Sequence, residues 1–97
     1  MPAYVIFIKN KTLDADELKI YGQKAGAARG DHQIKPLAFY GPLEVLEGDD
    51  AEGVVLLEFA DKAAAHAWYD SPEYQAAKQH RLQGADYRVI LAEGLGA

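Results

Sequence analysis

Apolar and polar positions change period several times along the chain, and each change marks an element. Tyr4 to Ile8, Val54 to Phe59 and Tyr87 to Ala92 are short runs rich in β-branched and aromatic residues, bounded by Gly, Pro, Asp or Asn, and they predict three strands. Pro36 to Val45 is a weaker run broken by Gly41-Pro42. Because proline has no N–H to give to a ladder, this run predicts an edge strand with a bend. Between the first two strands, Asp14-Ala15-Asp16-Glu17 pairs an N-cap with a carboxylate three residues on, and Leu18, Tyr21 and Ala25 recur at helical spacing. A helix over roughly Ala15 to Ala28 follows, ending near Gly30. Asp61 caps a second helix through Ala63-Ala64-Ala65 to Trp68. Ser71 is a natural cap and Pro72 fits a first helical position, so a further short helix runs from Pro72 to about Leu82 and stops at Gly84.

The resulting order, βαββαβ with an extra short C-terminal helix, is ferredoxin-like and α+β, with the helices on one face of a four-stranded antiparallel sheet. A sheet covered on one face alternates apolar and polar residues, and this one does not. Val55, Leu57 and Phe59 alternate with Val54, Leu56 and Glu58, while Tyr87, Val89 and Leu91 alternate with Arg88, Ile90 and Ala92. Both faces need a cover. A single domain spanning residues 1–97 has nothing left to supply the second one, so the simplest cover is the same face of another copy. The pattern predicts a homodimer.

Several motifs in this order resemble a family of small bacterial proteins known as domain of unknown function 1330. They are Met1-Pro2-Ala3-Tyr4, Glu44 to Gly48, Leu57-Glu58-Phe59, the Trp68 to Gln75 joint, Lys78, Arg81, and Arg88 through Gly94. The resemblance spans nearly the whole chain. It implies a dimeric α/β barrel, a superfamily that includes cofactor-free monooxygenases, haem-degrading enzymes, chlorite dismutase-like proteins and many binding modules. Members often carry Arg-Gly-Gly before the Glu44 segment, where this chain has Phe39-Tyr40-Gly41. Any ligand role of that arginine in relatives is lost or moved here.

Charge and composition exclude several partners. Ten Lys and Arg against fifteen Asp and Glu give −5, and the basic residues form no stripe that would hold nucleic acid or an anionic membrane. There is no cysteine for a disulfide, a thiolate metal site or a thiol nucleophile, and no apolar run near the roughly 20 residues of a membrane span. Met1-Pro2-Ala3 runs straight into the first strand, too short and unflanked for a secretory signal. The expectation is a cytoplasmic protein without cofactor or metal.

The reactive inventory is narrow. Ser71 is the only serine and Thr12 the only threonine, and both suit helix starts or turns better than acyl transfer. His32, His66 and His80 form no i, i+4 pair of the metal-binding kind. Gly22, Gly26 and Gly30 recur every four residues beside a helix, which suggests close packing rather than a phosphate cradle.

Glu58 and Arg88 stand out as charges on apolar strands, and with the first strand between them their side chains could meet across it. They are a structural charge pair or the polar anchor of an apolar pocket. Trp68, Tyr69 and Tyr74 are core or pocket wall. Arg81 caps helix carbonyls or pairs with Glu44 or Glu47. Three functions stay open: a module binding a small apolar or aromatic carboxylate, a cofactor-independent oxygenase or isomerase using Tyr40, Glu58 or His66 as acid or base, or an interaction module whose interior is filled.

Overall fold

A computed structural model describes residues 1–96 of the chain. It contains β1 (Ala3–Thr12), α1 (Ala15–Ala28), β2 (Lys35–Phe39), β3 (Gly53–Phe59), α2 (Lys62–Tyr69), α3 (Pro72–Gly84) and β4 (Ala85–Glu93). The strands form one antiparallel sheet in the order β2-β3-β1-β4. This is the ferredoxin-like arrangement, with α3 as the extra helix. At thirteen residues against eight, α3 is longer than α2 and lies before the last strand.

Each helix starts on the cap that its sequence offers. The Asp14 carboxylate accepts from the N–H groups of Asp16 and Glu17 at 3.0 and 3.3 Å, and Asp61 accepts from Ala64 N–H at 2.7 Å. Ser71 works in both directions. Its hydroxyl donates to the Trp68 carbonyl at 2.7 Å, closing α2, and accepts from Tyr74 N–H at 3.3 Å, opening α3 on Pro72. That occupation explains the lone serine without any nucleophilic role.

The period-2 pattern sorts the strands as expected. Ala3, Val5 and Phe7 of β1 and Val55, Leu57 and Phe59 of β3 are buried beneath the helices. Tyr4, Ile6, Ile8, Val54 and Leu56 are half-buried on the opposite face, beside the exposed Ile90. β2 is shorter than its apolar run. It ends at Phe39, because Tyr40 turns into the left-handed region at φ 51° and Gly41-Pro42 cannot continue the ladder.

Gly84 joins the layers where β4 begins. Its carbonyl accepts from both Leu13 and Asp14 N–H, at 2.8 and 2.9 Å, and a Cβ there would come within 2.8 Å of the Leu18 side chain. The start of α1 is thereby held against the end of α3. No helix among the described residues is long and apolar enough to cross a membrane.

A candidate ligand cavity under the first helix

The helix layer leaves a cavity of about 340 Å³ between α1 and the sheet. From the sheet, Phe7, Val55, Leu57 and Tyr87 face it; α2 contributes Trp68; the β2 end closes one side with Pro36, Phe39 and Tyr40. α1 contributes Leu18, Tyr21, Gly22, Ala25, Gly26 and Arg29. The glycine recurrence therefore has a different meaning from the one its spacing suggests. A Cβ at Gly22 or Gly26 would meet nothing within 4 Å, so neither glycine admits a close neighbour; both are exposed and line the cavity. Glycine inside a helix costs roughly 1 kcal/mol relative to alanine, and α1 carries two facing the cavity.

The lining is apolar and aromatic, with two charged side chains, Lys9 and Arg29; no carboxylate and no histidine is among its members. Arg29 donates through Nη2 to the Ile34 carbonyl. The Lys9 ammonium lies 5.6 Å from the centre of the Tyr40 ring, and among the described residues it has no carboxylate partner. Tyr40 is held in its strained backbone conformation by three contacts. Its N–H donates to Val54 O at 2.9 Å, its ring lies where a Gly53 Cβ would have to be, and its hydroxyl meets that of Tyr87 at 2.5 Å.

A second hydroxyl pair joins the cavity to the core. Tyr21 and Tyr74 share a hydrogen bond of 2.8 Å; Tyr21 lines the cavity and Tyr74 is fully buried. Burial pushes all four tyrosines above the ordinary phenol range. They are therefore protonated donors at neutral pH and not bases.

Arg81 is only 3% exposed. Its guanidinium lies 5.8 Å from the Phe7 ring and 5.4 Å from the Tyr87 ring, with Nη2 3.5 Å from the Tyr69 hydroxyl. Its Nε has no hydrogen-bond partner among the described residues. The expected pairing with Glu44 or Glu47 does not form, because Arg81 belongs to the buried stripe of α3 with Tyr74 and Ala77, while both glutamates are exposed. A buried cation compensated by rings and a hydroxyl rather than by a carboxylate is an unusual expense for a small domain.

The other sequence candidates lie elsewhere. Glu58 and Arg88 share the outer face but do not meet within one chain. Glu58 is level with Tyr4 and Arg88 with Ile8, four residues apart along β1 or about 13 Å. Glu58 receives only a long 3.5 Å contact from the Tyr4 hydroxyl. His66 is exposed and pairs with Asp70 at 3.3 Å. Tyr69 packs on Tyr74 and, with His66, borders a separate shallow depression. Of the predicted residues, Tyr40 and Trp68 reach the cavity itself, and Tyr74 and Arg81 stand next to residues lining it. Lys9, Tyr21, Arg29 and Tyr87 were not singled out as site residues by the sequence pattern. The one available signal was Tyr21 set among the small residues Gly22, Ala25 and Gly26 of α1.

The family model described as Domain of unknown function (DUF1330) matches residues 2–95, and the chain belongs to that family. No curated protein matches it. Among solved structures, the methylated RPA0582 protein of Rhodopseudomonas palustris is similar at 21% identity over 98% of this chain and 82% of that one, with a TM-score of 0.74. A dimeric ferredoxin-like protein of unknown function from Jannaschia sp. CCS1 is 18% identical over 97% of this chain and all of that one, with a TM-score of 0.62. SnoaB, a cofactor-independent oxygenase from Streptomyces nogalater, is 11% identical over 99% of this chain and 94% of that one, also at 0.62. At these identities the likeness is one of fold.

Proposed function

We propose that this member of the family is a homodimeric binding module for a small aromatic or apolar carboxylate, held in the cavity beneath α1. One observation carries the reading: in a protein of net charge −5, the charged side chains lining the cavity are both cations. An acidic protein repels anions at long range, so a local cluster of cations with no carboxylate among them selects for an anionic group. The volume of about 340 Å³ suits a single-ring ligand, and the aromatic walls supply its apolar contacts. The glycines of α1 support the same reading, since they give up helix stability and leave room.

Binding fits the chemistry better than the oxygenase or isomerase alternative. Of Tyr40, Glu58 and His66, Tyr40 alone lines the cavity, and a phenol is protonated at neutral pH. An open cavity likewise argues against a module whose interior is filled by side chains. The dimer is supported by the apolar outer face of the sheet and by the dimeric relative of like fold. Glu58 and Arg88 then lie on the surface between subunits.

Native mass spectrometry of freshly purified protein, followed by titration with para-fluorobenzoate, tests the proposal. A dimer that takes up one aromatic carboxylate per subunit is expected. A folded monomer would refute the assembly, and failure of every aromatic carboxylate to bind would refute the ligand class.

A further inference from the structure

We propose that the Tyr21 hydroxyl is the hydrogen-bond donor that meets the ligand's carboxylate, and that Tyr74 and Arg81 are positioning residues that orient and polarise it from behind the cavity wall. The inference rests on the carboxylate-binding reading above and specifies how the anion is recognised.

The direction of the Tyr21–Tyr74 bond carries the argument. Tyr74 is fully buried, and among the described residues no acceptor for its hydroxyl hydrogen is found except the Tyr21 oxygen, 2.8 Å away. Buried hydroxyls spend their protons where an acceptor exists, so Tyr74 donates and Tyr21 accepts. The hydrogen of Tyr21 is then free, and Tyr21 is the member of the pair that lines the cavity.

Arg81 places a buried charge behind this pair. It lies two turns beyond Tyr74 on the same buried stripe of α3. A guanidinium has donors and no acceptor, and the hydroxyl it reaches, that of Tyr69 at 3.5 Å, can only accept from it. Its charge bears on all four tyrosines, pulling against the rise that burial imposes on them. The charge thus acts on the cavity from behind its wall, without the guanidinium lining it. Polarisation of Tyr21 by the bond it accepts from Tyr74 strengthens it as a donor to an anionic acceptor.

The Tyr40–Tyr87 pair is less suited to this task. Tyr40 is 40% exposed, so water competes for its hydroxyl. The Tyr21–Tyr74 pair is sealed on the Tyr74 side, and its single free proton has only the lumen to serve.

The test compares para-fluorobenzoate with the neutral para-fluorobenzamide by fluorine NMR, in the intact protein and in Tyr21→Phe, Tyr74→Phe, Arg81→Lys and Arg81→Met. The readout is the ratio of the two affinities, which a purely structural perturbation shifts little because it weakens both ligands together. The intact protein should prefer the carboxylate. Tyr21→Phe and Arg81→Met should each cut that preference by about tenfold or more, the scale of a hydrogen bond to a charged group. Tyr74→Phe should reduce it with Tyr21 still in place, and Arg81→Lys should restore part of it. If both compounds bind and the ratio is unchanged in Tyr21→Phe and Tyr74→Phe, the relay is wrong while the cavity remains a binding site. If neither compound binds the intact protein, the carboxylate-site reading falls and the relay falls with it.

Discussion

The same sheet carries two helix-covered regions that are packed in opposite ways. Beneath α2 and α3, Phe59, Trp68, Tyr74 and Ala77 are essentially sealed, with Trp68 and Tyr74 ring centres 4.3 Å apart and Trp68 5.5 Å from Phe59. Beneath α1, about 340 Å³ stays open. The strands are not the cause, because Phe7, Val55 and Leu57 are as apolar as the residues under α2. The helix face makes the difference. α3 offers Tyr74, Ala77 and Arg81 to the interior, whereas α1 offers Tyr21, Gly22, Ala25 and Gly26. One half of the domain holds the fold together, and the other gives up packing to keep room.

That contrast breaks most visibly on the sealed side. Phe59→Ala removes a ring from the tight half and should cost about 3–5 kcal/mol in denaturant unfolding. A cost near 1 kcal/mol would mean that this side is as loosely filled as the other.

Alkaline unfolding probes the tyrosines that bridge the halves. The folded-state pKa values of Tyr21, Tyr40, Tyr74 and Tyr87 all lie above the ordinary 10.0, chiefly through burial. A raised value means that the folded state holds its proton more tightly than the unfolded chain. The associated stability is therefore fully present below about pH 10 and is lost as the pH rises toward the folded values. Melting curves should show stability falling above about pH 10, with less fall in Tyr21→Phe. A flat profile there would place these hydroxyls in water.

Ser71→Ala sharpens the comparison by loosening only the joint between α2 and α3. It should cost about 0.5–2 kcal/mol and leave ligand binding intact, since the cap serves the sealed half. Lost binding at an unchanged melting temperature would instead give Ser71 a chemical role.

The sequence shows the two halves unequally. Helix caps are local, so Asp14, Asp61 and Ser71 announced their helices, and α1 runs from Ala15 to Ala28 as its spacing predicts. Strand faces were legible for the same reason, through simple alternation. Register was not: Glu58 and Arg88 lie on one face, but only the pairing of β1 with its neighbours shows that they sit four residues apart. The cavity was least visible. Periodicity says that Tyr21 and Ala25 face inward, and it cannot say whether what they face is filled. Gly22 and Gly26 gave the same signal that close packing would give, and the distances separate the two. Arg81 looked like a helix-end cation because nothing local marks a charge as buried.

The central claim is that α1 keeps its glycines for the sake of the space they leave. Gly26→Leu tests it most directly, read by fluorine NMR of para-fluorobenzoate together with the melting temperature. Gly26 lines the cavity and a Cβ there meets nothing within 4 Å, so the substitution begins without a clash and replaces a poor helix former. Binding should be abolished, while stability is unchanged or higher by up to about 1 kcal/mol. Undiminished binding, or a clear loss of stability, would contradict the account.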